Sequence, residues 1–116
     1  MSKKVTLFYN PRCSTCRNAL GLLNEQGCEV ELVEYLKDVP TEKELKNVLK
    51  KLGLKPQDLL RKKEPLFAEK YKTKKLTDAQ WIKVMAGNPI LIERPVAIYG
   101  NKAVIGRPAE RVVSIL

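Results

Sequence analysis

Histidine is absent from this 116-residue sequence, and that absence closes several routes at once. A nucleophile paired with an imidazole base cannot be built. A structural zinc site would have to draw its ligands from Cys13, Cys16 and Cys28 without a single imidazole, so no metal is expected. Three cysteines are an odd number and too few for a disulfide scaffold. Aromatic residues make up only 6 %, and neither a stacking motif nor a Gly-rich loop is present, so nucleic acid is not an expected partner. No apolar run reaches the length of a membrane span. The start, Met1-Ser2-Lys3-Lys4, leads into a short alternating segment rather than the long apolar region of a signal peptide. The expected location is therefore the cytoplasm, with no membrane partner.

Acidic residues are also scarce, 13 against 22 basic ones, for a net charge of +9. Such a balance suits an acidic protein, a nucleic acid or a small anion, and composition does not choose among them. Pairs such as Lys50-Lys51, Lys62-Lys63 and Lys74-Lys75 read as solvated surface. The length allows one domain with one real core, expected as a monomer.

Val5 to Tyr9 carries apolar residues on both faces and reads as a central strand, broken by Asn10-Pro11-Arg12. A helix is predicted from about Ser14 to Gln26, with Ala19, Leu20, Leu22 and Leu23 at helical spacing and Gly27 as its stop. Glu29–Tyr35 reads as a second strand, with Val30 and Leu32 facing inward. A strand, a helix and a strand in that order imply a right-handed crossover and a parallel pair. Between about 40 and 88 only helices are predicted. Thr41 with Glu44, and Thr77 with Gln80, have the spacing of capping boxes. Val96–Tyr99 and Lys102–Ile105 flank Gly100-Asn101 as a hairpin, and Pro108 is placed in the first turn of a last helix that buries Val112, Val113, Ile115 and Leu116. The whole is an α/β chain with a four-stranded mixed sheet and an inserted helical block, in a single domain over 1–116.

The chemistry concentrates at Cys13-Ser14-Thr15-Cys16. A strand that runs through a loop into a helix puts Cys13 at the helix start, where unpaired N–H groups favour a thiolate. With no histidine, the remaining sources of a low pKa are positive charge and backbone donors; Arg12 and Arg17 lie close in sequence. Cys13 is the expected attacking thiol, and Cys16, one turn in, is the possible resolving thiol. Their spacing allows an intramolecular disulfide; the alternative is that Cys16 packs inward on the face of Ala19, Leu20 and Leu23. Cys28 reads as a small half-buried apolar residue. Arg61, Arg94 and Arg107 each stand at an element boundary, the last two beside Pro95 and Pro108. An arginine fork fits a tetrahedral oxyanion, though a lone arginine is more often a solvated surface group. A cis bond before Pro95 would present a backbone edge to the thiol.

Four segments carry a resemblance over essentially the whole chain: Tyr9-Asn10-Pro11-Arg12-Cys13-Ser14, Leu59-Leu60-Arg61, Asn88 to Pro95, and Gly106-Arg107-Pro108. In these the sequence resembles the ArsC family of glutaredoxin-coupled arsenate reductases, which includes the Spx redox regulators. The resemblance implies a thioredoxin-like fold with an inserted helical subdomain. It implies that Cys13 attacks arsenate or a similar oxyanion bound by Arg61, Arg94 and Arg107, with Asn10, Arg12, Ser14 and Pro95 in support. It further implies glutathione as co-substrate and glutaredoxin as the protein that restores the thiol; thioredoxin is the alternative reductant, and no bound cofactor is expected. Cys16 departs from the reductase pattern and matches Spx, whereas Gly106-Arg107-Pro108 matches the reductases. The reading is therefore thiol-dependent reduction of arsenate, with a regulator of RNA polymerase or another thiol-disulfide oxidoreductase as the alternatives.

Overall fold

The computed structural model describes residues 3–116. The chain forms two compact units: one is the segment up to Asp38 together with Arg94–Leu116, the other is Val39–Glu93.

The first unit is built on a four-stranded sheet in the order β2-β1-β3-β4. Strand β1 (Lys4–Phe8) pairs in parallel with β2 (Glu29–Val33), Leu7 lying opposite Leu32. On its other side β1 runs antiparallel to β3 (Val96–Tyr99), Leu7 opposite Ala97. Strand β4 (Lys102–Ile105) completes the hairpin, whose turn uses Gly100 at φ 61°, a conformation that only glycine adopts without strain. The mixed sheet with a β-α-β half and a β-β-helix half is the thioredoxin-like arrangement.

Helix α1 (Ser14–Glu25) crosses from β1 to β2 and buries Cys16, Ala19 and Leu23, one stripe at helical spacing. Its Ala19 and Leu23 join Val5, Leu7, Ala97 and Val112 in a single core cluster. Strand β1 is central, as expected, and Val5, Leu7 and Phe8 are all buried.

Three expectations for this unit need correction. Strand β2 ends at Val33, and Tyr35 lies in the turn that follows, closed by bonds from the Lys37 and Asp38 N–H groups to the Glu34 carbonyl. Leu32 does not face inward; it is 43 % exposed, because β2 is an edge strand. The last segment, Ala109–Ile115, is a 3₁₀ helix, and Pro108 is the residue that caps it rather than part of its first turn. Within that segment Ala109, Val112 and Ile115 are buried at the i, i+3 spacing of a 3₁₀ helix, while Val113 and Leu116 are half-buried.

The second unit holds α2 (Glu42–Leu52), a 3₁₀ turn (Pro56–Leu59), α3 (Pro65–Lys70), α4 (Asp78–Gly87) and a 3₁₀ turn (Pro89–Leu91). Both capping boxes form. Thr41 accepts from the Glu44 N–H at 3.1 Å, Glu44 accepts from the Thr41 N–H at 3.2 Å, and Thr77 and Gln80 repeat the exchange. Gly53 stops α2 in the left-handed conformation at φ 68°. Leu45, Val48 and Leu49 are buried on α2 and Trp81 and Met85 on α4, the helix that packs against it. A single antiparallel bridge joins Leu60 to Ile92. Among the described residues no helix is long and apolar enough to cross a membrane.

Candidate active site

Cys13 is the N-cap of α1, held in extended backbone, and its carbonyl accepts the Arg17 N–H at 3.1 Å. The loop ahead of it is built by Asn10. The Asn10 side-chain oxygen accepts the Arg12 N–H at 3.0 Å, and its carbonyl accepts the Cys13 N–H at 2.9 Å. The Arg17 guanidinium reaches back to the Pro11 carbonyl at 2.8 Å. The loop is thus tied at both ends, and Cys13 is only 8 % exposed. Arg12 and Ser14 are exposed beside it.

Burial alone would raise the Cys13 pKa, but it lies below its ordinary value. Hydrogen bonds from the Cys16 backbone N–H and thiol, and the hydrogen bond and charge of Arg94, outweigh the desolvation. The backbone donor belongs to the first turn of α1, where N–H groups have no helical partner. Cys16 behaves oppositely: burial and the neighbouring Cys13 push it up to about 12, against the opposing hydrogen bond of the Asn10 backbone. The two thiols divide roles by environment: the Cys13 pKa is lowered and the Cys16 pKa is raised. None of the three cysteines is joined in a disulfide.

Arg94 and Arg107 converge on this thiol. Arg107 Nη2 lies 3.8 Å from Cys13 Sγ, and its Nε donates to the Arg94 carbonyl at 2.8 Å. Arg94 Nε and Nη1 are buried. The peptide bonds Arg94–Pro95 and Arg107–Pro108 are both cis. Gly106 donates its N–H to the Pro95 carbonyl at 2.8 Å, and a Cβ at Gly106 would meet Pro95 Cγ at 2.8 Å and Val112 Cγ1 at 2.7 Å. Only a glycine lets the chain pass that close to Pro95 and deliver Arg107 to the thiol.

Arg61 belongs to the helical unit. Its Nη1 pairs with Glu64 at 3.0 Å, and Glu93 lies 3.9 Å from its Nε. Its backbone is fixed by a bond from its N–H to the Leu91 carbonyl at 2.8 Å.

One residue escaped the sequence reading. Tyr35 is buried, stacks on Phe8 with ring centroids 6.3 Å apart, and hydrogen-bonds Arg94. Burial pushes its phenol up to about 12, opposed by Arg94. As the apparent end of a strand it carried no signal of a polar role.

The family model for the ArsC family matches residues 8–115, nearly the whole chain and every residue of the thiol site. The chain is 37 % identical to an arsenate reductase of Neisseria meningitidis over 97 % of its own length and 98 % of the relative's. It is 41 % identical to the protein YfgD of Escherichia coli, over 100 % and 99 % of the two chains. The solved structure of an arsenate reductase from Vibrio cholerae superposes with a TM-score of 0.95 at 36 % identity, covering 100 % of both chains. On a match of that extent, with the cysteine loop and the Gly106-Arg107-Pro108 segment inside it, the chain belongs to the ArsC family.

Proposed function

We propose that this protein reduces arsenate to arsenite by attack of the Cys13 thiolate on an oxyanion held by arginine. The observation that carries the reading is the convergence of Arg107 Nη2 and the Arg94 guanidinium on one thiol whose pKa is lowered. A thiolate repels an anion, so attack needs cations fixed beside the sulfur. Two preorganised guanidinium groups supply that attraction and meet the charge that develops on the oxyanion oxygens. Relatives of similar length named arsenate reductases support arsenic as the centre attacked. Overall, one arsenate and two thiols give arsenite, one disulfide and one water; arsenic takes up the two electrons that the thiols lose. In the first step a Cys13 S–As bond forms and one arsenate oxygen leaves as water.

The second thiol comes from outside the chain. At neutral pH a Cys16 thiol held up to about 12 is almost wholly protonated, and it is fully buried, so it is a poor nucleophile toward the Cys13 adduct. Glutathione, with glutaredoxin to restore Cys13, is the reductant this reading names. The test is arsenate turnover by purified protein with glutathione and glutaredoxin, and separately with thioredoxin alone. Arsenite formation with the first pair, lost in Cys13→Ser, supports the reading. No arsenite above background with either reductant overturns it. Arg61→Ala belongs in the same series, since the family resemblance gives that arginine an oxyanion role.

A further inference from the structure

A cavity of about 350 Å³ adjoins the thiol loop, within the unit that holds Cys13. Its volume falls in the range of small-molecule sites. The Asn10-Pro11-Arg12 loop lines one part of it, and Glu34, Leu36 and Lys37, from the turn after β2, line another. The two segments are tied together: the Tyr9 N–H bonds the Val33 carbonyl at 2.9 Å. The turn itself is closed at 2.9 and 2.8 Å by the Lys37 and Asp38 N–H groups on the Glu34 carbonyl. Backbone bonds at the loop and at the turn hold the walls in place before any ligand arrives. Cys13 follows Arg12 directly, with Cα atoms about 3.8 Å apart.

The lining carries two cations and one carboxylate. Arg12 and Lys37 are exposed, and Glu34 is half-buried. Among the described residues both ion pairs belong to Arg61, so these three charges do not pair with one another. Leu36 adds an apolar side chain that is 41 % exposed. A bare oxyanion would suit the cations and be repelled by Glu34. An uncharged thiol would use none of the three groups. A zwitterion with two carboxylates and one ammonium answers all of them, one opposite charge to each.

The thiol chemistry needs a second thiol from outside the chain, and glutathione is a tripeptide with that set of charges. We propose that this cavity seats glutathione, with its carboxylates toward Arg12 and Lys37, its ammonium toward Glu34 and its thiol toward Cys13. An extended tripeptide spans roughly 10 Å, long enough for one anchored at Arg12 to present its central sulfur to the next residue. The assignment rests on glutathione being the second thiol, as read above, and adds where it binds and which groups select it. Exposed charge contacts are individually weak, so the cavity orients a thiol supplied in excess rather than binding it tightly.

S-methylglutathione keeps every charge and cannot react, so binding is read without arsenate. It is titrated into the isotope-labelled full chain and followed by amide NMR shifts, beside its N-acetyl derivative, which lacks the ammonium, and inorganic phosphate. Saturable shifts are expected at Asn10, Arg12, Glu34 and Lys37, with a Kd on the order of 1 mM. Lys37→Glu weakens binding by roughly three- to tenfold. Lys102→Glu, the same charge change on β4 at the opposite edge of the sheet, leaves it within about twofold. Glu34→Gln gives the sharpest sign. Simple attraction of a net anion predicts tighter binding, because a negative charge is removed. The glutathione seat predicts weaker binding of S-methylglutathione, by about two- to fivefold, and no loss for the N-acetyl derivative. Tighter binding in Glu34→Gln, equal effects of Lys37→Glu and Lys102→Glu, phosphate shifting the same amides as strongly, or no shift at these residues at ten times that concentration overturns it. Arsenate turnover with glutathione and with mercaptoethanol, run in parallel, keeps two failures apart. No arsenite with either thiol, beside the expected binding, counts against arsenate as the substrate and leaves the seat in place. Arsenite formation with glutathione, beside shifts confined to other residues, counts against the seat alone.

Discussion

Arg107 is held in place by Arg94: the Arg107 Nε donates to the Arg94 carbonyl at 2.8 Å while its Nη2 stands 3.8 Å from Cys13 Sγ. One guanidinium therefore bridges the backbone of one arginine and the sulfur of the nucleophile. A fork with several donors in a rigid plane makes both contacts, which a single ammonium cannot do with the same geometry.

Arg107→Lys is accordingly not conservative. It keeps the charge and loses the bridge, so kcat/KM for arsenate is expected to fall by about ten- to a hundredfold, and Arg107→Ala by about a hundred- to a thousandfold. Steady-state kinetics with glutathione and glutaredoxin check this. Equal activity of wild type and Arg107→Lys would mean that the bridge plays no part in positioning.

Cys16 is expected to act on Cys13 as a hydrogen-bond donor. Its thiol and backbone N–H both lower the Cys13 pKa. Shortening the side chain to a methyl removes the thiol donor and leaves the Cys16 backbone N–H and Arg94, so the pH at which Cys13 becomes reactive moves upward in Cys16→Ala. Cys16→Ser, which restores a donor, stays near wild type. The measurement is the pH dependence of Cys13 alkylation, followed by mass spectrometry in a Cys28→Ser background. A downward shift in Cys16→Ala contradicts the sign of the interaction, and loss of glutathione-driven turnover in Cys16→Ser would show that Cys16 takes part as a thiol.

Most of the site's sequence-local part could be read before the structure. The strand, the Asn10 turn and the helix start follow from alternation, proline and helical spacing, and together they fix Cys13 as an N-cap. The two capping boxes were visible for the same reason: their interactions lie within three residues. What residue patterns could not supply was anything that depends on long-range approach. Arg94 and Arg107 reach a thiol some 80 to 95 positions away through a bond between Pro95 and Gly106, and no local signal encodes that meeting. The family resemblance filled that gap. Leu32 misled because alternation reports which residues share a face, not whether a helix covers that face at the sheet's edge. The last helix misled because apolar residues at 112, 113, 115 and 116 fit an α stripe almost as well as the 3₁₀ turn that forms.

Gly106→Ala tests the close passage that brings Arg107 to the thiol. The new methyl would overlap the Pro95 ring and a Val112 methyl, both stiff groups, at 2.8 and 2.7 Å. The expected destabilisation is about 1–3 kcal/mol, as for an overpacked core position. Because relief requires Pro95 to move, kcat/KM is expected to drop even where the protein remains folded. Urea unfolding and kinetics on the same sample check both, and a variant with wild-type stability and activity contradicts the close contact.

Tyr35→Phe isolates the buried phenol from its ring. The substitution keeps the volume and the stacking on Phe8, and removes only the hydroxyl that bonds Arg94. Loss of that bond at neutral pH is expected to cost about 1–2 kcal/mol, since a charged partner is involved. The pH dependence gives the sharper test. The Tyr35 pKa is raised from its ordinary value to about 12, with burial as the main cause. In the unfolded chain the phenol loses its proton near the ordinary value of about 10, while the folded chain holds it to a higher pH. The unfolded state then binds fewer protons than the folded one, so the stability tied to this hydroxyl is complete below about pH 10 and declines as the pH rises toward 12. Phenylalanine has no such decline. The stability gap between wild type and Tyr35→Phe should therefore shrink between about pH 10 and pH 12, as urea unfolding would show. Cys16 also titrates high, but it is present in both proteins and cancels in the difference. Arsenate kinetics at pH 7 complete the test: freeing Arg94 from the phenol is expected to raise KM more than it lowers kcat. A gap that stays constant to about pH 12, together with unchanged KM, would show that the Tyr35 hydroxyl neither titrates from a buried position nor holds Arg94 toward the thiol.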